Sequence, residues 1–189
     1  MESRFPRPSP QCDFRVPCFL SRQPLLLLVA ETPGPVYVRM GRASVPCVYE
    51  PGKELEMGRA YVLREGSDVS IVACGVEIDE ALKAADLLAA EGISAEVIDA
   101  FCVKPLDEDT ILASVEKTGC IVTAEEHSVI GGLGGAVAEC LAAKHPAPLE
   151  RVGMQDCFGT SASYEELLVE FHMDAAAIAE AAKKVISRK

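Results

Sequence analysis

Residues Asp68–Leu88, DVSIVACGVEIDEALKAADLL, contain the change of hydrophobic period that decides the fold. The first seven residues, DVSIVAC, form a short apolar run typical of a buried strand. From Val76 to Glu91 the apolar side chains instead recur at helical spacing, with Ile78 and Leu82 on one stripe, and Gly92 is placed to end the helix. The stretch therefore predicts a strand followed directly by a helix.

The same strand-then-helix order recurs towards the C-terminus. Further strands are predicted over residues 95–98, 120–124 and 149–153, and further helices over residues 107–119, 132–144 and in two segments after residue 163. Helix starts are marked by Asp107, by the capping box Ser163-x-x-Glu166 and by Asp174. Alternation of this kind favours helices packed on a mainly parallel sheet.

One strand candidate lies before the regular pattern. Residues 60–63 precede DVSIVAC and are joined to it by REGS, a connection of hairpin length. The sequence therefore predicts an α/β fold: a mainly parallel open sheet of about five strands with one antiparallel edge strand and helices on both faces.

The N-terminal part of the chain is less regular. Five prolines interrupt residues 1–24, so residues 1–30 are predicted to be an irregular arm without a place in the core. PVYVRMGR, residues 35–42, alternates like a strand and is followed by a linker rich in Pro and Gly. We therefore divide the chain into an arm (1–30), a strand with its linker (31–57) and a regular domain (58–189).

Composition limits the classes of partner. A formal net charge of −11 disfavours nucleic acid or an anionic membrane surface as partner, because both are negatively charged and bind basic protein surfaces. No apolar run approaches the roughly 20 residues that a membrane span needs. The eight cysteines show no metal-ligand spacing and several lie in apolar patterns, so we interpret them as reduced core thiols of a cytoplasmic protein. No metal site is predicted.

The stretch TAEEHSVIGGLGGAVAE, residues 123–139, carries the candidate site residues. We expect Glu125, Glu126 and His127 at the carboxyl end of a parallel strand, where open α/β sheets form their crevices. The glycines Gly132, Gly134 and Gly135 at the following helix start could form an anion site, or only a tight turn with close helix–sheet packing. Acid–base chemistry and a plain surface turn both remain open for the Glu-Glu-His run.

Four segments carry a family resemblance: TAEEHSVIGGLGGAVAE, DVSIVACGVEIDEALKAADLL, VIDAFCVKPLDEDTI and ERVGMQDCFGTSASYEELL. Together they resemble the C-terminal portion of transketolases, in particular the C-terminal chain of two-part bacterial or archaeal transketolases. The resemblance covers roughly residues 31–189. Similar domains occur in deoxyxylulose-phosphate synthase and in the beta subunit of 2-oxoacid dehydrogenases, which remain alternatives, as does a free-standing module that binds a small anion.

The resemblance implies two-carbon ketol transfer between sugar phosphates in a complete enzyme that uses thiamine diphosphate and Mg²⁺. That chemistry needs the cofactor, since no side chain stabilises the acyl-carbanion equivalent alone. The family's cofactor-binding motifs and activating glutamate are not found in this sequence. The resemblance therefore implies a structural, dimer-stabilising part with no catalytic residue of its own. Its expected partners are an N-terminal transketolase chain or domains and a second copy, and this chain alone is not expected to bind the cofactor.

One residue of the strand at 35–42 is a substrate-contact candidate. By the resemblance, VYVRMGR corresponds to the last strand of the pyrimidine-binding domain, and Arg42 to an arginine that contacts the sugar phosphate. A guanidinium offers two parallel donors to a phosphate. The alternative for Arg42 and its neighbour Arg39 is a solvated strand end.

Overall fold

A computed structural model describes residues 12–16, 26–41, 46–50 and 53–189 of the chain, the first of these ranges by its backbone. Eight strands lie in this part of the chain: β1 (Cys12–Val16), β2 (Val36–Met40), β3 (Tyr61–Arg64), β4 (Val69–Cys74), β5 (Ala95–Asp99), β6 (Cys102–Lys104), β7 (Ile121–Ser128) and β8 (Leu149–Met154). A short helix, α1, is described over residues 26–31. The other helices are α2 (Glu77–Ala90), α3 (Glu108–Thr118), α4 (Leu133–Lys144), α5 (Tyr164–Glu170) and α6 (Ala175–Ile186).

The main sheet has five strands in the order β3-β5-β4-β7-β8. Strands β5, β4, β7 and β8 are parallel, and β3 lies antiparallel to β5 at one edge. This arrangement confirms the predicted fold class.

Helices cover both faces of the sheet because its central strand is apolar on both sides. All six residues of β4 are buried, and Ile71 and Val72 point to opposite faces. The face of Ile71 packs against α2, α5 and α6, whereas the face of Val72 packs against α3 and α4. Each fully buried aliphatic side chain of this kind contributes about 1.5–3 kcal/mol through the hydrophobic effect.

The helix ends that were predicted from capping residues and from Gly119 are confirmed. Asp107 accepts a hydrogen bond from the backbone N–H of Thr110 at the start of α3, and Gly119 ends that helix with a φ of 75°. Ser163 and Glu166 form the predicted capping box of α5. Asp174 caps α6 through the N–H of Ala177.

The hairpin predicted from the REGS connection is wrong. Strand β3 pairs with β5, and β5 separates it from β4. The connection crosses the start of β5 so closely that a Cβ on Gly66 would lie 2.1 Å from the Ala95 carbonyl carbon. Ser67 and Asp68 both donate their N–H to the Ser94 carbonyl, which fixes this crossing.

A second sheet of three strands has the order β2-β1-β6. We expected residues 1–30 to be irregular, but Cys12–Val16 forms the middle strand, parallel to β2 and antiparallel to β6. This strand needs partners from residues 36–40 and 102–104, so its own short sequence gives little sign of it. The remaining arm residues before 26 lie outside the described part of the chain, and the division at residues 30 and 57 stays a prediction.

The described part of the linker lies along the regular domain as a strap, which we define as residues 46–50 and 53–57. The hydroxyl of Tyr49 donates to the buried Asp99 carboxylate at the end of β5. The Tyr49 ring also meets Tyr61 edge-on, with centroids 6.1 Å apart, and Tyr61 stacks on Phe101. Leu55 and Met57 pack against the buried cluster of Phe101 and Cys102. The strap is therefore attached to the domain by both polar and aromatic contacts.

The interpretation of the cysteines holds for some of them. Cys74, Cys102, Cys120 and Cys140 are buried, and Cys157 is exposed. Cys47 is disulfide-bonded, which corrects the expectation that all eight are reduced. Among the helices that the structure describes, none combines the length and apolarity that a bilayer crossing requires.

Candidate functional site

The sheet has a topological switch point between β4 and β7. The chain leaves β4 through α2 and enters β5 on one side, and after α3 it enters β7 on the other side of β4. In open α/β sheets the helices diverge at such a point and leave a crevice at the carboxyl ends of the two strands. Here Glu77 follows β4 and Glu126 lies near the end of β7, so both carboxylates belong to this crevice.

Glu77 is the most perturbed carboxyl group of the crevice. Its side chain is fully buried at the start of α2, and neither of its oxygens has a hydrogen-bond partner among the described residues. Burial, as the largest cause, and the charges of Glu80, Glu126 and Asp174 together raise its pKa to about 9. Glu77 therefore carries a proton at neutral pH.

Tyr164, the first residue of α5, shares this acidic environment. Burial raises the pKa of its phenol, with Glu77 and Glu126 as the next largest causes. Glu80 accepts a hydrogen bond from the N–H of Ala175 at 2.8 Å, which joins α2 to the start of α6. The crevice thus collects acidic side chains from α2, from β7 and from the start of α6 around Glu77.

On the other side of β7 the Glu125 carboxylate binds the start of α4. It is buried and accepts hydrogen bonds from the N–H groups of Leu133, at 2.9 Å, and Gly134, at 2.8 Å. The positive end of a helix dipole stabilises a carboxylate at this position. These two amides therefore bind an anion that the chain itself supplies.

Alternation along β7 separates the candidate residues of the Glu-Glu-His run. Successive side chains of a strand point to opposite faces. Accordingly Glu125 meets α4, whereas Glu126 acts on Glu77 at the start of α2. His127 is half-buried, and its Nδ1 donates to the Ser128 carbonyl, 3.0 Å away. The structure thus does not bring Glu125, Glu126 and His127 together in one acid–base group.

The glycines of the loop have different surroundings. A Cβ on Gly132 would lie 2.1 Å from the Glu125 carboxylate, and one on Gly134 would lie 2.9 Å from Thr123 Oγ1. A Cβ on Gly135 would meet no atom within 4 Å. Close packing therefore explains Gly132 and Gly134. Gly132 and Gly135 also line a groove of about 810 Å³, which Tyr37 and Lys104 border on the side of the small sheet.

Two further predictions concern the phosphate contact of Arg42 and the presence of a metal site. Arg42, the candidate phosphate contact, lies outside the described residues; its neighbour Gly41 is described, and a Cβ there would lie 4.0 Å from Glu126 Oε2. Within the described ranges, no three His, Cys, Asp or Glu side chains are placed to hold a metal ion.

Sequence reasoning missed two buried carboxyl groups, Glu77 and Asp99. Burial raises the pKa of Asp99 to about 7, although hydrogen bonds from Tyr49 and from the Phe101 N–H act in the opposite direction. Asp99 ends the buried strand β5, and Glu77 follows the end of the buried strand β4 by three residues, so both lie at the carboxyl edge of the sheet. An acidic residue at that place in the strand pattern is a signal that could have found both.

Comparison with known proteins agrees with the fold. Residues 58–178 match the family model described as the C-terminal domain of transketolase. A 6-deoxy-6-sulfo-D-fructose transketolase subunit of Clostridium sp. (strain MSTE9) is 48% identical over 156 residues, which are 82% of this chain and 48% of the relative. A 1-deoxy-D-xylulose-5-phosphate synthase of Thermomicrobium roseum is 45% identical over 162 residues, or 84% of this chain and 26% of that enzyme.

A solved structure is also similar over most of the chain. It is titled a split gene transketolase in an inactive beta4 tetramer, has a TM-score of 0.91 and 43% identity, and is matched over 94% of this chain and 58% of its own. The chain thus spans about half the length of the first of these relatives and a quarter of the synthase.

Proposed function

Because the chain belongs to the transketolase C-terminal domain family, we propose that it is the C-terminal section of a transketolase that depends on thiamine diphosphate. In the complete enzyme it would take part in moving a two-carbon ketol unit between sugar phosphates. Its own role is structural: it holds the upstream domains and stabilises the assembly. The observation that carries this proposal is the match to the split gene transketolase, at 43% identity and a TM-score of 0.91.

The described residues do not fit thiamine diphosphate themselves. The helix-start amides of Leu133 and Gly134 are engaged by the chain's own Glu125 carboxylate. The crevice at the switch point carries the acidic side chains of Glu80, Glu126 and Asp174 around the buried, protonated Glu77, and would repel a diphosphate. The cofactor, which supplies the electron sink of the reaction, and its Mg²⁺ therefore belong to other domains of the complete enzyme.

The strap supports a role in holding upstream domains. It joins β2 to the regular domain and is attached through the hydrogen bond between Tyr49 and Asp99 and the aromatic contacts of Tyr61. A connection held by such contacts fixes the relative orientation of the domains that it joins better than a flexible linker does. In this account the strap fixes the orientation of the domain that precedes it, and Arg42, at the end of the β2 segment, contacts the sugar phosphate there.

The proposal extends to assembly and location. A solved relative is titled a beta4 tetramer, and another is named a subunit, so we expect this chain to associate with a second copy and with a chain or domains that bind thiamine diphosphate. We also expect a cytoplasmic location for the complete enzyme.

A second candidate function is the same structural role in a 1-deoxy-D-xylulose-5-phosphate synthase. The 45% identity to the Thermomicrobium roseum enzyme favours it as an alternative. The two candidates differ in the product of the complete enzyme, since the relative is named for the synthesis of 1-deoxy-D-xylulose 5-phosphate. Product analysis of a reconstituted enzyme, with 1-deoxy-D-xylulose 5-phosphate as the diagnostic product, separates them.

Binding experiments test the structural role. The full chain is mixed with a transketolase whose own C-terminal domain has been deleted, and complex formation is followed by sedimentation velocity. We expect a stable complex and, by calorimetry, saturable binding of thiamine diphosphate with Mg²⁺ to the complex and none to the chain alone. Saturable cofactor binding by the chain alone would overturn the proposal.

A further inference from the structure

The crevice at the carboxyl ends of β4 and β7 holds a carboxyl group that the fold leaves unsatisfied. The side chain of Glu77 is fully buried, yet neither of its oxygens has a hydrogen-bond partner among the described residues. A buried polar group without a partner costs stability, so it indicates a partner that the described residues do not supply. We call Glu77 and the groups whose charges act on it the acidic cluster: Glu77, Glu80, Glu126 and Asp174.

Cations compensate the acidic cluster only in part. Lys83 on α2 pairs with Glu80 at 2.7 Å and with Asp79 at 2.8 Å. In the part of the chain that the structure describes, no Lys, Arg or His side chain pairs with Glu126 or Asp174. The crevice therefore keeps an uncompensated negative charge, which attracts a cation and repels an anion.

Tyr164 adds an aromatic ring to the crevice. As the first residue of α5 it packs against the hydrophobic core and is half-buried. It lies close enough to Glu77 and Glu126 for their charges to act on its phenol. An aromatic ring together with carboxylates is the usual composition of sites for ammonium and guanidinium groups, because the ring face and the carboxylate oxygens both attract positive charge.

The mouth of the crevice can be reached from solvent. Glu126, Tyr164 and Asp174 are half-buried, so part of each residue lies at the surface. Gly41 borders the opening, since a Cβ there would lie 4.0 Å from Glu126 Oε2. Within the described ranges no three acidic, His or Cys side chains are placed to hold a metal ion. The spacing of the carboxyl groups therefore suits a larger cation that carries several N–H donors.

We propose that the acidic cluster is a binding site for an organic cation, an alkylammonium or guanidinium group, which pairs with Glu126 at the mouth of the crevice beside the Tyr164 ring. The bound cation brings a positive charge close to Glu77. The carboxylic acid of Glu77 then loses its proton to solvent, and the resulting carboxylate pairs with the cation. This inference goes beyond the structural role proposed above and does not rest on it.

Calorimetry of the full chain with butylamine as the probe tests the site. At about pH 7.5 we expect saturable binding with a dissociation constant of about 1 mM or lower. The heats in two buffers of different ionisation enthalpy should show release of up to about one proton per bound amine. Because the cation stabilises the ionised form of Glu77, the dissociation constant should fall by up to about ten-fold per pH unit between about pH 6 and 8. Butanol, which has the same chain length without the charge, should not bind.

Three variants locate the site and separate its parts. Glu126→Gln should raise the dissociation constant at least about ten-fold, because it removes the carboxylate at the mouth of the crevice. Glu116→Gln, at an exposed position on α3, should leave the constant unchanged. Glu77→Gln should bind butylamine without releasing a proton, and its dissociation constant should no longer change between about pH 6 and 8. Loss of folding would not produce this last combination.

Competition identifies the source of the cation. If the complex with the truncated transketolase no longer binds butylamine, the natural occupant is a basic side chain of the upstream domains. If the complex binds butylamine as the chain alone does, the occupant is a free amine. The absence of saturable binding by the wild-type chain, binding without proton release, or equal binding by Glu126→Gln overturns this inference. None of these results bears on formation of the complex itself, so the two proposals fail separately.

Discussion

The Oε1 atom of Glu125 accepts a hydrogen bond from the backbone N–H of Gly134 at 2.8 Å, so the last part of β7 is joined to the first turn of α4. The Oε2 atom of the same carboxylate accepts from Leu133. Two helix-start donors are thus satisfied inside the protein by one buried side chain. The glycine-rich loop is folded around this internal carboxylate.

Glu125→Ala should destabilise the chain by about 2–4 kcal/mol, because it leaves two buried N–H groups without their acceptor. Equilibrium unfolding in urea measures the change. Glu126→Ala is the control: its side chain lies on the opposite face of β7, and its charge disfavours ionisation of Glu77, so its loss should leave stability at neutral pH nearly unchanged. Equal stability of Glu125→Ala and the wild type would show that the Glu125 contact does not hold α4.

Gly132 and Gly135 form a matched pair for the loop. Gly132→Ala should cost about 1–3 kcal/mol, because its Cβ would lie 2.1 Å from the Glu125 carboxylate. Gly135→Ala meets open space inside α4 and should be neutral or stabilising by up to about 1 kcal/mol through helix propensity. Urea denaturation measures the free energy of unfolding of both variants. A larger loss of stability for Gly135→Ala than for Gly132→Ala would contradict this packing.

Glu77 should make stability fall as the pH rises. Its folded pKa of about 9 lies above its ordinary value of 4.5, so the folded chain keeps a proton that the unfolded chain releases. The contribution of Glu77 to the free energy of unfolding is complete below pH 4.5. It is lost, by up to about 1.4 kcal/mol per pH unit, as the pH rises towards 9. Glu77→Gln should remove this slope.

Urea unfolding between pH 5 and about 9 checks the Glu77 prediction, with each free energy of unfolding compared at the same pH. Glu116→Gln, an exposed position on α3, should keep the wild-type slope. A constant difference between Glu77→Gln and the wild type over the whole range would mean that Glu77 titrates alike in the folded and unfolded chains.

Tyr49→Phe should loosen the strap, because it removes the donor that the buried Asp99 carboxylate accepts. A lost hydrogen bond to a buried carboxylate costs about 1–3 kcal/mol, so trypsin cleavage after Lys53 should become about ten-fold faster or more. Tyr37→Phe, at a position that is 61% exposed, serves as control. Unchanged cleavage of Tyr49→Phe would mean that the strap is held by other contacts.

The order of elements was predictable from the sequence because its signals are local. Asp107 and Ser163 cap helices through contacts three residues away, and the change of period at Val76 needs no tertiary information. The neighbour of β3 was not predictable in this way, since β5 lies about thirty residues further along the chain and β3 reaches it through the crossing at Gly66.

The candidate site was predictable only in outline. The carboxyl end of β7 was correctly expected to carry Glu125 and Glu126, but the two residues were considered as one site, although strand alternation sends them to opposite faces. The burial of Glu77 depends on helices that begin about ninety residues later, at Tyr164 and Asp174. Such an environment exists only after the fold has formed.

The most direct test of the central claim is a ketol-transfer assay with xylulose 5-phosphate and ribose 5-phosphate in the presence of thiamine diphosphate and Mg²⁺. The wild-type chain alone should stay at the background rate, and activity should rise when the truncated transketolase is added. The truncated transketolase without the chain provides the matching baseline. Turnover by the purified chain alone would contradict the assignment of this domain as a structural section of a larger enzyme.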